Sequence, residues 1–280
     1  VNTYPTARIA RLDADLRPQA GWPMLANGLI QDLARSGDTL FVAGNFTSIA
    51  GQPRAGLAAI DAASGALRPW TAATPGSYGR IAVSDARVYA ARASGSGQPI
   101  AAFDRATGAS HSWSPALRSG PVQRLLVDDG VLFVAGGVVN DGPDGLPFTD
   151  DDADGLLLLD AESGAARGPT VRTDAPPSRV SVVNDVVVTA DTIFLAGTFG
   201  TLNGEPRAGL AAIDRATGAV RPWRADLEYP AYNGPGTIPV GEALALDGDT
   251  LYVGGSFERA GGAFRRNLAA LDASTGALLP

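Results

Sequence analysis

The sequence predicts an all-β protein, a β-propeller built from four-stranded blades, and three observations support this prediction. Each of the four tryptophans lies nine residues after an aspartate that ends a short motif, as Trp70 does after Asp61. Successive motif aspartates are 48, 43, 56, 54 and 58 residues apart, which suits the repeat length of a propeller blade. No stretch carries the sustained 3.6-residue apolar period of an α-helix. The motif aspartates are Asp13, Asp61, Asp104, Asp160, Asp214 and Asp272.

The last copy of the repeat contains the four strands of a blade, which we name a, b, c and d. Short apolar segments alternate there with turns that contain glycine, a residue that tolerates the positive φ of tight hairpins. In chain order, the four segments are residues 243–246, 251–257, 268–271 and 277–280.

Strand c is apolar at four successive positions in four copies, whereas a half-exposed strand would alternate between apolar and polar residues. The unbroken run therefore predicts a strand buried on both faces between stacked sheets. We interpret the tryptophan after strand d as a packing element between blades; sugar stacking by one of the tryptophans is the alternative. The four apolar runs begin at Leu57, Ile100, Leu210 and Leu268.

The repeats occupy the whole chain, which we interpret as a single domain, residues 1–280. Six blades are predicted, with strands a and b of the first blade lost or replaced; a larger ring cut short is the alternative. Because the chain begins and ends inside a repeat, we expect it to be excised from a longer protein with covalent neighbour domains. A half repeat covers residues 1–22, and full repeats cover about 28–70, 80–113, 122–169, 183–223 and 241–280, with Pro169 replacing the tryptophan of the third.

The composition narrows the classes of function. The chain has no cysteine, which excludes disulfides, thiolate metal sites and thiol nucleophiles. The net charge is −7, and residues 140–162 hold eight acids and no arginine. All 22 basic residues are arginine, and they form no basic stripe, so we expect no nucleic-acid partner. No segment approaches the ~18 apolar residues of a membrane span, so we expect no membrane insertion.

The repeat motif resembles known propeller families. Asp61-Ala-Ala-Ser-Gly65 followed by Trp70 is similar to the pyrroloquinoline-quinone-type repeat, and Val253-Gly-Gly-Ser-Phe257 resembles kelch. Nearly the whole chain is similar to bacterial secreted repeats of the delta-60 type, with the pattern LYVGGSF…GG…R..LAALDA.TGAL.PW. This resemblance implies a propeller fold and a secreted, periplasmic or cell-surface location, and it is almost silent on function.

The strand order predicts which end of the sheets is functional. With antiparallel strands a, b, c and d, the short a–b and c–d turns lie at one end, and the b–c and d–a connections lie at the other. The long, irregular segments are all b–c or d–a connections, at residues 137–154, 168–185 and 224–240. Variable loops on a rigid scaffold usually carry binding, so we expect a protein or carbohydrate partner at this loop face.

An acidic loop in the third full repeat predicts a Ca²⁺ site. Residues 150–155 reproduce the D-x-D-x-D-G start of a calcium loop, in which alternating carboxylates converge on one hard cation. The match fails at the twelfth position, where Ala161 replaces the expected glutamate. The alternative is a solvated acidic loop, and no organic cofactor is expected. The candidate metal ligands are Asp150, Asp152 and Asp154, with Asp141 and Asp144 as further oxygen donors.

Two other sets of residues have both a structural and a binding interpretation. Arg54, Arg207 and Arg265 each precede a motif aspartate by seven residues, which indicates a shared structural role at the b–c loop; a ligand-facing ring of arginines is the alternative. A second set of aromatic and amide side chains in the d–a connections suits a partner surface, or else packs on the rim. That set is Tyr229, Tyr232 and Asn233, with Tyr78 in an equivalent connection.

The residue inventory argues against an enzyme. His111 is the only histidine and is predicted to be an exposed residue of strand d. One histidine and no cysteine exclude histidine-metal clusters, and no G-x-S-x-G motif is present. We therefore assign no catalytic residue and expect a non-catalytic, extracellular or cell-surface binding or structural module. The alternative is a calcium-dependent hydrolase or lyase acting on a carbohydrate or lactone.

Overall fold

The chain is built from β-strands in two compact units. The computed structural model describes residues 9–17, 19, 26–93, 99–113, 115, 117, 120–140, 153–175, 181–229 and 239–280. The first unit comprises Val1–Ser114 and Leu125–Gly130, and the second comprises Pro115–Arg124 and Val131–Pro280. All strands in the described ranges pair antiparallel, and those ranges contain no helix long and apolar enough to cross a membrane. The prediction of an all-β chain is confirmed.

The first unit contains the sheets of the first two full repeats. Strands β1, β2 and β5 form one sheet and β6, β7, β8 and β9 form the next. The hairpin between the first two strands closes with Ser36 opposite Thr39, and Gly37 supplies the positive φ of 58° that the turn needs. The strands are β1 (Ile30–Ser36), β2 (Thr39–Gly44), β3 (Ser48–Ile49), β4 (Gln52–Pro53), β5 (Leu57–Asp61), β6 (Tyr78–Val83), β7 (Arg87–Arg92), β8 (Ile100–Asp104) and β9 (Ser110–His111).

The second unit contains the sheets of the later repeats. The division between the units falls within β10 (Val122–Asp128). After it come β11 (Val131–Asn140), β12 (Ala153–Asp160), β13 (Thr173–Asp174), β14 (Val182–Val188), β15 (Thr192–Thr198), β16 (Thr201–Leu202), β17 (Glu205–Pro206), β18 (Leu210–Asp214), β19 (Leu227–Glu228), β20 (Val240–Asp247), β21 (Thr250–Ser256), β22 (Arg259–Ala260), β23 (Ala263–Phe264) and β24 (Leu268–Asp272). Strands β14, β15 and β18 form the sheet of the fourth repeat, and β20, β21 and β24 form that of the fifth.

Strand d is shorter than the sequence predicts. In the described residues, a named fourth strand occurs only in the second repeat, where β9 pairs with β8. A proline, which has no amide to continue the ladder, accounts for this in the first and fourth repeats but not in the third, where Gly168 follows the d segment. Pro69 and Pro222 follow the d segments of the first and fourth repeats, whereas Ser112 occupies that place in the second. Elsewhere strand d is reduced to single bridges, Ile60 to Leu67, Leu159 to Ala166, Ile213 to Val220 and Leu271 to Leu278.

The d–a connections are more ordered than the sequence predicts. Each b–c connection of the fourth and fifth repeats forms a small hairpin, β16–β17 or β22–β23. The preceding d–a connection adds a third strand to it, β13 in one case and β19 in the other. These strands are two residues long, which is too short for a periodic pattern to reveal them in the sequence.

The core lies between successive sheets within each unit. In the second unit, Phe194 and Leu210 of the fourth repeat pack against Leu251 and Leu271 of the fifth. The corresponding contact in the first unit joins Phe41, Leu57, Ala59 and Trp70 to Ile81, Val88, Ala90 and Phe103. Strands β5 and β18 are buried at all four apolar positions, as predicted, and β8 is buried there except at the half-buried Ala101. Strand β24 departs from this prediction, because Leu268 is 63% exposed and no described residue covers it.

The tryptophans fill the junctions between sheets. Trp70 lies edge-on to Phe41 and Phe103, with ring centroids 5.3 and 6.4 Å away, and its Nε1 donates to the Asp104 carbonyl at 3.2 Å. Trp223 repeats this arrangement with Phe194 and the Asp272 carbonyl. The packing interpretation is confirmed for these two tryptophans. Trp113 is buried against Tyr89 of its own repeat, and Trp22 lies outside the described residues.

Candidate functional site

The motif aspartates cap the turn between strands c and d. In the first repeat, Asp61 Oδ1 accepts hydrogen bonds from the Ser64 amide at 2.8 Å and the Ser64 hydroxyl at 2.7 Å. Hydrogen bonds from the turn lower the pKa of the motif aspartate in each of the five full repeats. The pKa of Asp272 falls to about 2 because of its hydrogen bonds with Ser274 and Thr275. The same cap occurs at Asp104, Asp160, Asp214 and Asp272.

Three arginines form a second repeated structural device, which we call the arginine clips. In the fourth repeat, Arg207 donates from Nη1 to the Pro206 carbonyl at 2.7 Å and from Nη2 to the Arg221 carbonyl at 2.9 Å. Each clip thereby joins the b–c hairpin to the segment that follows the c–d turn, which confirms the predicted structural role. The clips are Arg54, Arg207 and Arg265.

The base of the acidic loop carries charge that is only partly balanced. Asp154 is half-buried on β12, and its pKa is raised first by burial and then by the negative charge of Asp174. Arg172 opposes this shift. Asp174 is exposed on β13, and its Oδ2 accepts a hydrogen bond from the Thr201 hydroxyl at 3.3 Å. The tertiary structure therefore places Asp174 near enough for its charge to raise the pKa of Asp154.

The backbone at Gly155 allows strands β12 and β13 to lie close together. Gly155 has a φ of 87°, and a Cβ at this position would collide with the Thr173 hydroxyl. Thr173 is 1% exposed, accepts a hydrogen bond from the Ser181 hydroxyl at 2.7 Å and donates to the Asp154 carbonyl at 3.5 Å. The glycine of the predicted calcium loop thus has a packing role, because it lets β12 approach β13 closely.

Only one of the predicted metal ligands lies among the described residues. Asp154 is described, whereas Asp141, Asp144, Asp150 and Asp152 lie outside the described residues. Within the described ranges, no group of three or more histidine, cysteine, aspartate or glutamate residues could hold a metal ion. The sequence reasoning missed Asp174, since it lies 20 residues from Asp154 and carries no motif of its own.

The predicted aromatic surface residues separate into different environments. Tyr78 is a core residue on β6, with 0% exposure, so it is not accessible to a partner, in contrast to the expectation. Its hydroxyl donates to the Thr74 carbonyl at 3.0 Å, and burial raises its pKa. Tyr229 is half-buried and its hydroxyl hydrogen-bonds the Ser256 hydroxyl. Tyr232 and Asn233 lie outside the described residues.

The only histidine, His111, lies in the first unit. His111 is exposed on the short strand β9, where it pairs with Ala102 of β8. This matches its predicted position on strand d. The exposed imidazole is therefore part of a sheet edge in the second repeat.

Comparison with known proteins establishes the fold. No known protein family matches the chain, and no curated protein sequence matches it. Among solved structures, the chain is similar to BamB from Moraxella catarrhalis, with 17% sequence identity, a TM-score of 0.52 and coverage of 92% of this chain. The match spans 65% of the BamB chain. BamB has a β-propeller fold, and the similarity shows that this repeat chain shares it.

Two computationally designed proteins are also similar to the chain. Ika4 has 13% sequence identity and a TM-score of 0.45, and the match covers 73% of this chain and 97% of Ika4. Ika8 has 12% identity and a TM-score of 0.46, with coverage of 91% of this chain and 88% of Ika8.

Proposed function

We propose that this protein is a non-catalytic β-propeller module that binds a partner or serves as a structural unit, with a loop region stabilised by Ca²⁺. The observation that carries the proposal is the contrast between two groups of charges. The motif aspartates and the arginine clips are engaged in holding turns and hairpins, whereas Asp154 and Asp174 share incompletely balanced negative charge at the loop face.

The charge at this site favours a bound cation. Removing a carboxylate from water carries a large free-energy cost, and the nearby Asp174 adds repulsion. Arg172 offsets only part of this, since the pKa of Asp154 remains raised. A hard divalent cation with oxygen ligands would remove both penalties. Asp141, Asp144, Asp150 and Asp152 of the same loop are the proposed further ligands.

A six-bladed arrangement is the proposed completion of the fold. The six motif aspartates support it, and so does the half repeat, whose Ile9 packs against the core of the first full repeat. The partner, a protein or a carbohydrate, is proposed to bind at the b–c and d–a loop face. A secreted, periplasmic or cell-surface location suits such a site, because millimolar calcium outside cells would keep it filled. We also propose covalent neighbour domains, since the repeat pattern is of a type found in larger surface proteins.

Thermal unfolding in calcium and in chelator tests the proposal. Calcium at about 100 times its Kd stabilises a folded protein by about 2.7 kcal/mol, which raises the Tm by about 5–10 °C at this size. We expect this rise in the wild type and its loss in Asp154→Asn and Asp152→Asn. In chelator, Asp154→Asn should melt above the wild type, because it removes a carboxylate that burial and Asp174 make unfavourable.

Asp249→Asn is the matched control, since Asp249 is an exposed aspartate in the a–b turn of the fifth repeat. It should leave the calcium response unchanged. Identical wild-type melts in calcium and chelator would show that the loop binds no calcium. Calcium-dependent turnover of a carbohydrate or lactone would show that the module is an enzyme.

A further inference from the structure

A cavity of about 370 Å³ lies between the first and second full repeats, at the end of the sheets where the a–b and c–d turns meet. Its size is near the lower end of small-molecule sites, about 300–1,000 Å³. It is separate from the loop face of the proposed function. Its lining combines charged and apolar side chains, and of the apolar ones Pro69 and Ala106 are exposed. The lining residues are Asp38, Thr39, Phe41, Ala59, Arg68, Pro69, Trp70, Arg105 and Ala106.

The two arginines of the rim have different partners. Arg68 binds the carboxylates of Asp38 and Asp61 at 2.9 and 2.8 Å, so its charge is already balanced. Arg105 donates from Nη1 to the Ser36 hydroxyl at 2.8 Å, and its guanidinium contacts no carboxylate among the described residues. A guanidinium has five N–H donors, so Arg105 retains donors for a ligand at the edge of an apolar cavity.

Comparison with the junction between the fourth and fifth repeats shows that Arg105 is not required to build such a junction. That junction keeps the buried Trp223 beside Phe194. It also keeps the paired arginine, Arg221, which binds Asp191 at 3.3 Å and Asp214 at 3.1 Å. The residue equivalent to Arg105, directly after the motif aspartate, is Ala273. The arginine is therefore an addition to a junction that packs without it.

The other arginine at this repeat position has a structural role. Arg215 donates from Nη1 to the Thr189 carbonyl at 2.9 Å, and its guanidinium lies 5.8 Å from the centre of the Phe133 ring. This is the repeat junction in which Pro169 replaces the tryptophan. Arg215 thus covers an aromatic face that no tryptophan occupies, whereas Arg105 lies beside a tryptophan and an open cavity.

We propose that the cavity beside Arg105 binds a small organic anion, an aromatic monocarboxylate of about the size of phenylacetate. Its carboxylate would accept a two-pronged pair of hydrogen bonds from the Arg105 guanidinium. Its ring would lie against the exposed side chains of Pro69 and Ala106, beside the small accessible edge of Trp70. Asp38 at the rim has a side chain that is 77% exposed, and its negative charge disfavours a second anionic group on the ligand.

Titration with phenylacetate tests this site, with saturable binding measured by ligand-observed NMR. We expect a Kd on the order of 1 mM, which is typical of a ligand with so few atoms. Phenylacetamide, a neutral ligand of the same shape, should bind at least about tenfold more weakly, because a charge-assisted hydrogen-bond pair is roughly twice as strong as a neutral one. Binding of the amide with equal affinity, or no saturable phenylacetate binding, would overturn the proposal.

Two variants test whether phenylacetate binds in the cavity beside Arg105. Arg105→Ala introduces the residue found at the equivalent position 273, so the fold should tolerate it, and phenylacetate binding should weaken about tenfold or more. Arg35→Ala is the control for loss of one positive charge, since Arg35 is exposed near the same turn and does not line the cavity. It should leave the Kd unchanged. Unchanged binding in Arg105→Ala would show that the anion does not use this cavity. Because calcium is not needed for any of these outcomes, they are independent of the proposed function.

Discussion

Two strands with almost the same sequence have opposite environments. Strand β18 reads Leu-Ala-Ala-Ile-Asp and β24 reads Leu-Ala-Ala-Leu-Asp. Leu210, at the start of the first, is 0% exposed, whereas Leu268, at the start of the second, is 63% exposed. The sheet of the fifth repeat covers Leu210, and no described residue covers Leu268. The repeat motif therefore specifies an apolar packing surface, and the neighbouring sheet decides whether that surface is buried.

The largest expected effect comes from a substitution on the buried strand β18. Leu210→Ala should lower the free energy of unfolding by about 2–5 kcal/mol, because it leaves a cavity between two packed sheets. Leu268→Ala should change it by less than about 0.5 kcal/mol, since the side chain is mostly in water already. Urea unfolding of the two variants beside the wild type measures both values. Equal effects would mean that Leu268 is covered in solution.

A smaller effect is expected when the arginine clips of the same two repeats are removed. Arg207 is 6% exposed and donates to the Arg221 carbonyl at 2.9 Å, whereas Arg265 is half-buried and donates to the Leu279 carbonyl at 3.4 Å. Arg207→Ala should therefore cost about 1–3 kcal/mol, because it removes a buried side chain and leaves the part-buried Arg221 carbonyl without its donor. Arg265→Ala should cost less than about 1 kcal/mol. The reverse order in urea unfolding would contradict this dependence on burial.

The smallest expected effect is on how stability depends on pH, to which Asp272 and Asp154 contribute with opposite signs. The pKa of Asp272 is lowered to about 2, so its cap contributes stability above the pKa of the unfolded chain, about 4, and loses it as the pH falls towards 2. The pKa of Asp154 is raised, so protonation in weak acid removes an unfavourable charge. Without calcium, Asp154→Asn should thus gain most stability over wild type at neutral pH, and the gain should shrink on acidification.

Urea midpoints measured between pH 2 and 7 test both signs. Asp272→Asn should show a smaller loss of stability between about pH 4 and 2 than the wild type does, because it has no carboxylate to protonate there. An Asp154→Asn difference that grows on acidification would contradict the raised pKa of Asp154.

Features that depend on local pattern were predictable from the sequence. The apolar runs at Leu57 and Leu210, the junction role of Trp70 and the shared structural role of Arg207 all follow from spacing that recurs along the chain. The short strand d of the first repeat was not predicted, although it has a local cause, since Pro69 follows it directly.

Features that depend on contacts between distant segments were not predictable in the same way. The strand β13 adds to the hairpin β16–β17 through only two residue pairs, which leave no periodic signal. Tyr78 lies in a connection by sequence spacing, yet it is a core residue because β6 begins at that position. The effect of Asp174 on the pKa of Asp154 likewise depends on segments that come together only in the tertiary structure.

By itself, the sequence determined the all-β repeat and the residues that hold each repeat together, because these depend on short-range periodicity, turn chemistry and side-chain type. Only the tertiary structure decided which copies of a motif are buried, which carboxylates share a site and which arginine faces a cavity. Those properties depend on what the neighbouring sheet places opposite each residue, and the nearly identical motifs at Leu210 and Leu268 do not encode that difference.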